Sequence, residues 1–84
     1  MTVDEAATLH EGSYVASPHD VPAYRIRRVS AEPWISADRT CARIRLHSYS
    51  NQWVPVEGFI KAPGSSNAYR WDADTRAFVS RSAS

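Results

Sequence analysis

A chain of 84 residues makes one domain, and at this size only roughly 60–65% of the unfolded surface can be buried, so the core is thin. A net charge of +1 excludes the global basic field of a protein that coats DNA, and a single cysteine, Cys41, excludes an intrachain disulfide and a four-cysteine zinc site. The apolar fraction of 43%, with nine aromatic residues, is enough for a folded core and argues against disorder throughout.

The chain opens on Thr2-Val-Asp-Glu5, a hydroxyl followed three residues later by a carboxylate, which is the pattern of a capping box. Ala6, Ala7 and Leu9 continue it for a turn or two, and Gly12 stops it. Residues 1–11 read as a short helix or a frayed tail. Asp4 and Glu5 stand where a signal peptide needs basic residues before an apolar run, and no segment approaches the ~18 apolar residues of a membrane span. With one lone thiol, the expected compartment is a reducing one, the cytoplasm.

Residues 12–79 read as a single β-rich domain. Gly12 to Ala16 is a short strand around Tyr14, and two prolines make Ser17 to Pro22 a loop. Tyr24 to Val29 is the next strand. Tyr24 and Ile26 share one face and Arg25 and Arg27 the other, but Val29 falls in phase with the arginines, so a β-bulge is expected near Arg27–Arg28. Ser30 to Thr40 is a connection carrying Pro33 and Trp34.

Cys41 to Ser48 is the clearest strand. Ala42, Ile44 and Leu46 point to a dry side, and Cys41, Arg43, Arg45 and His47 to a wet one. Tyr49 to Gln52 is a polar turn. In Trp53 to Glu57, Val54 and Val56 take the dry face. Pro55 lacks a ladder donor and places this segment at an edge or a bulge. Gly58 to Ala62 continues that strand or starts another, and Pro63 to Asn67 is a turn cluster. Ala68–Trp71 and Arg76–Val79 flank Asp72 to Thr75 as a hairpin with a four-residue loop. Tyr69, Trp71 and Phe78 are assigned to its packing. Residues 80–84 read as a disordered tail.

The expected fold is therefore mostly β, with turns at intervals of about ten residues: a small antiparallel barrel or a strongly bent sheet of five to six strands, closed by a C-terminal hairpin. Gly12-x-Tyr-Val15, Tyr24-Arg-Ile-x-x-Val29, Ala42-Arg-Ile-Arg-Leu46 and Trp53-Val-Pro-Val56 together resemble the strand rhythm of SH3-like barrels of the Tudor and KOW kind, over about residues 12–60. The Asp-Tyr-Gly run typical of Tudor domains is missing, and the hairpin after Pro63 is more than a minimal barrel needs. The resemblance implies a binding module and no particular chemistry.

Two surfaces are candidates for function. If the strand at 24–29 pairs antiparallel with the one at 41–48, Arg25, Arg27, Arg43 and Arg45 crowd one face. Glu32, Asp38 and Glu57 could then neutralise them as an internal ion-pair ladder, or the face could bind an anionic partner. The second surface is the set Trp34, Tyr49 and Trp53, outward rings that either cap the ends of a barrel or stack on a ligand.

No catalytic residues are assigned. Cys41 and His47 share a face, but six residues of extended strand hold them on the order of 20 Å apart. His10, His19 and His47 have no metal-ligand spacing, and Asp72 with Asp74 fits a turn better than a calcium loop. No cofactor and no metal is expected. The expected function is that of a small non-enzymatic binding module, an accessory, adaptor or inhibitor protein that meets a protein partner through its arginine and aromatic surface. Nucleic-acid binding through the same surface, and a structural role in a larger assembly, are the two other readings.

Overall fold

The computed structural model describes residues 1–47 and 52–81. In chain order the elements are a helix, α1 (Val3–Ala6), and eight short strands: β1 (Tyr14–Ala16), β2 (Arg27–Arg28), β3 (Trp34–Ile35), β4 (Ala42–Arg45), β5 (Trp53–Pro55), β6 (Ile60–Lys61), β7 (Tyr69–Asp72) and β8 (Ala77–Ser80). The protein is mostly β. Its strands form three small antiparallel sheets, ordered β2-β1-β6, β3-β4-β5 and β7-β8.

The alternation of β4 positions everything else. Ala42, Ile44 and Leu46 are buried and Arg43 is exposed, as a period of two requires. Ile44, Leu46, Val15 and Val29 are fully buried, each worth about 1.5–3 kcal/mol of transfer free energy. Val56 and Phe59 close the core from the other side, and Ala6 and Leu9 close it from the N-terminal segment. That segment is held by the expected capping box: Glu5 N–H donates to Thr2 Oγ1 at 3.2 Å, and Thr2 N–H donates to Glu5 Oε1 at 3.0 Å. A four-residue helix is marginal alone, so docking of Ala6 and Leu9 carries it.

The two three-stranded sheets meet at one bridge, Val29 to Leu46. Ser30 N–H donates to the Arg45 carbonyl at 2.8 Å, and His47 N–H donates to the Arg28 carbonyl at 3.3 Å. Among the described residues no pairing closes them into a barrel. Of the expected pairing of 24–29 with 41–48, the described residues form the end around the Val29–Leu46 bridge and not the rest, while Arg27 and Arg28 are in register with β1. Tyr24 also leaves the extended region, at φ +61, so the strand cannot begin there.

The bulge expected at Arg27–Arg28 is not formed: β2 begins only at Arg27, so buried Ile26 precedes the strand and does not share its phase, and the pair carries its bulge on the facing segment instead. Val29 faces two residues at once: Gly12 N–H donates to its carbonyl at 2.9 Å, and its own N–H donates to the Ser13 carbonyl at 2.8 Å. Ser13 N–H closes a turn on the His10 carbonyl at 3.0 Å. Gly12 sits at φ +94, which the third position of such a turn and the first of such a bulge both require.

The Ser30–Thr40 connection contains a strand, β3. Asp38 forms its tight turn by accepting from Ser36 Oγ (2.8 Å), Thr40 Oγ1 (2.7 Å) and Thr40 N–H (3.1 Å), which brings Trp34 opposite Arg43. These hydrogen bonds hold the Asp38 carboxyl below the usual carboxylate range. Pro55 lies on β5, which pairs only with β4 among the described residues, as a residue without a donor requires.

The β7-β8 hairpin stands apart. Its loop is Ala73 to Arg76, one residue later than the sequence suggests, since Asp72 still pairs with Ala77 and Arg76 takes the left-handed bend at φ +54. The hairpin is tied to the rest by a ring stack, Tyr24 on Trp71 at 3.9 Å, with Phe78 edge-on to Trp71 at 5.1 Å. β8 runs through Ser80, and Arg81 N–H donates to the Ala68 carbonyl at 2.8 Å. Residues 82–84 lie outside the described residues.

Candidate functional site

β4 lies between two partners, and each register fixes what stands beside its arginines. Trp34 of β3 and Pro55 of β5 are both directly opposite Arg43, and Trp53 is opposite Arg45. Residues opposite each other in an antiparallel pair share a face, so Trp34, Arg43 and Pro55 form one row and Arg45 and Trp53 the next. This is the face turned away from Ile44.

The rings on it are half out of the protein: Trp34 is 49% exposed and Trp53 42%. Together with Arg43 they line a cleft of about 330 Å³. The Arg43 guanidinium carbon lies 5.9 Å from the centre of the Trp34 ring, within cation–π range. No acid among the described residues forms an ion pair with it. Among the described residues the ion pairs are Arg27–Asp20 and Arg39–Asp4, so the expected ladder through Glu32, Asp38 and Glu57 is not formed. Arg45 is half-buried, and its Nε is shut off from water without a hydrogen-bond partner. Ser30 Oγ, on the segment bonded to the Arg45 carbonyl, is in the same state.

Trp34, Trp53, Arg43 and Arg45 are thus brought together, and Arg25 and Arg27 are not. Arg27 lies off this face and grips Asp20 through two bonds, Nε to Oδ2 and Nη2 to Oδ1, the latter 2.7 Å. The pair is largely buried, with side-chain exposures of 12% and 7%. The Arg27 guanidinium holds the Asp20 carboxyl below its usual range. Arg25 is exposed and lines a different groove, with Tyr24 and Trp71. Tyr49 lies outside the described residues. Pro55 is a member that sequence reasoning put on the outer face but did not count in the site; only the β4-β5 register shows that it flanks Arg43.

Little else has the form of a reaction centre. Cys41 is an exposed free thiol. Among the described residues, no three His, Cys, Asp or Glu side chains gather where a metal ion could sit. Asp72 has a lowered pKa because its carboxylate accepts from the turn backbone at Asp74 and from Thr75, which is the turn role expected of it. No helix among the described residues is long and apolar enough to cross a membrane. Comparison of the chain with protein-family models, curated proteins and solved structures finds no match.

Proposed function

We propose that this protein is a small non-enzymatic binding module, working in the cytoplasm as an accessory, adaptor or inhibitor, that recognises a protein partner through Trp34, Arg43 and Trp53. The observation that carries the reading is the pair of half-exposed indoles flanking an arginine with no acid beside it. Tryptophan and arginine are enriched among the few residues that carry most of the energy of protein interfaces. A thin core does not require either ring on this face, since Ile44 and its neighbours fill the inside. With one exposed arginine on the face, a protein segment with an apolar or proline-rich side and a carboxylate fits it better than a phosphate backbone does. A track of phosphates needs several cations.

An SH3-like fold accompanies this reading. Its support is the order of pairing: β6 and β2 flank β1, the chain from β2 crosses the Val29–Leu46 bridge, and β3, β4 and β5 follow as a second sheet. Such folds present their ligand faces from short strands on a fixed scaffold.

The test is binding after substitution. Trp53→Ala and Arg43→Glu are expected to weaken binding to a partner captured by the wild type at least about thirty-fold, a hot-spot loss of roughly 2 kcal/mol, with an unchanged far-UV circular dichroism spectrum. A partner that binds both variants as tightly as the wild type would remove this face from the function.

A further inference from the structure

The three arginines Arg25, Arg70 and Arg81 come from a loop, a strand and the chain after β8, yet they line one groove of about 230 Å³ with Tyr24, Tyr69 and Trp71. A second cleft of about 630 Å³, which shares Tyr24 and Trp71 with the first, carries Arg76. Four of the nine arginines therefore surround a single pair of stacked rings. Among the described residues no carboxylate lines either cleft.

Nothing within the described structure uses up these charges. Arg25, Arg70, Arg76 and Arg81 take part in no ion pair among the described residues. The acids that feel Arg25 and Arg70 have other work. Asp20 is held by Arg27 and feels Arg25 only weakly, and Asp72 is held by its own turn and feels Arg70 only weakly. Arg81 is fixed in place, its Nε donating to the carbonyls of Ser66 (2.6 Å) and Tyr69 (3.2 Å), which leaves its terminal nitrogens for a ligand. Tyr69 is seated against Gly64, where an added Cβ would come within 2.7 Å of the ring, so the groove wall depends on a residue without a side chain. Like charges gathered without counter-ions repel, and a fold keeps them together at a cost that a bound polyanion removes.

We propose that this double cleft binds single-stranded nucleic acid, with Arg25, Arg70 and Arg81 on phosphates in the smaller groove and Arg76 on a neighbouring phosphate in the larger one. Cations gathered around an aromatic pair suit a chain of phosphates carrying planar groups. The site is separate from the Trp34–Arg43–Trp53 face and does not depend on the reading of that face.

The experiment is fluorescence anisotropy of a labelled oligothymidylate titrated with the full chain at several salt concentrations. Binding is expected, with log K falling against log salt at a slope of about −0.7 per phosphate held, or roughly −2 to −3 for three to four arginines. Arg25→Ala and Arg70→Ala are each expected to reduce that slope by about 0.7 and to weaken binding several-fold at low salt. Both residues are exposed, so the fold tolerates the change. Arg43→Ala, on the other face, is expected to leave the titration unchanged. No binding at low salt overturns the proposal, and so does binding unaffected by Arg25→Ala and Arg70→Ala. Equal loss with Arg43→Ala would move the site off these clefts. Polyglutamate competing as well as the oligonucleotide would show an acidic-peptide site instead, and inorganic phosphate displacing the strand at equal phosphate concentration would show a single-anion site.

Discussion

Removing the Asp20 carboxylate is the sharpest test of how this small fold is held. Asp20 ties the Ser17–Ile26 loop to β2 through two charge-assisted bonds to Arg27, and also accepts from Val21 N–H at 2.9 Å. Both side chains are about nine-tenths covered. Losing one partner of a buried pair costs about 3–5 kcal/mol, because the remaining ion has been desolvated without its counter-charge. The rim of water still reaching this pair argues for the lower end, about 3 kcal/mol in Asp20→Asn. A chain of this length has roughly 4–12 kcal/mol in all, so the melting temperature should fall by about 12–24 °C. Urea unfolding followed by circular dichroism measures it, and pH identifies the cause. The folded Asp20 pKa is lowered, chiefly by Arg27, so its contribution is full above the unfolded carboxylate pKa near 4 and disappears as pH falls through the lower, folded value. The gap between wild type and D20N should then be constant from neutral pH to about 5 and narrow below about 4. A D20N protein within about 0.5 kcal/mol of the wild type, or a gap indifferent to acid, would refute the reasoning.

Three further outcomes follow from the packing. Ile44→Ala opens a cavity at the fully buried centre of β4 and should destabilise by about 3–4 kcal/mol in the same urea assay. Gly12→Ala should cost about 1–2 kcal/mol through strain at φ +94, not through collision, since the nearest atom to the added Cβ is Arg28 Nη2 at 3.8 Å. Trp71→Ala removes the ring that anchors the hairpin, so amide exchange should rise across 69–80 while the β4 amides keep their protection.

What could be read in the sequence was what is written locally. The alternation from Ala42 to Leu46 has a period no helix satisfies, and Ala42, Ile44 and Leu46 are dry and Arg43 wet as it requires, while Arg45, expected wet, is half-buried beside Trp53. Thr2 with Glu5 needs only one turn of chain to form a capping box. Asp72 and Asp74 mark a hairpin turn to within a residue. The rest depended on partners distant in sequence. Trp34 and Ile35 look like loop residues until the Asp38 turn folds them onto β4. The phase slip between Ile26 and Val29 reads as an extra residue only if the strand begins at Tyr24, whereas Ile26 is buried from the loop before β2 and the bulge of this pair falls at Gly12 on the facing segment. The face of four arginines failed for a related reason. It assumed that neighbours in sequence would pair along their length, whereas Arg27 and Arg28 pair with β1 and Arg27 takes Asp20 as its partner.

The two arginine sites differ in how they are made ready, and the difference bears on what each can bind. Arg43 projects from the middle strand of its sheet, so β3 and β5 fix its backbone from both sides, and the Trp34 ring restricts the guanidinium further. A side chain already ordered has less freedom to lose on binding, which favours a partner of defined shape. Arg70 and Arg76 ride on a hairpin that is two-stranded among the described residues, a unit marginally stable in water by itself, held through Tyr24 on Trp71. Closing a strand of phosphates between Arg25 on the loop and Arg70 on the hairpin would tie those two parts together. The hairpin's slow amides should therefore gain protection when an oligonucleotide binds, while those around Ile44 stay as they were.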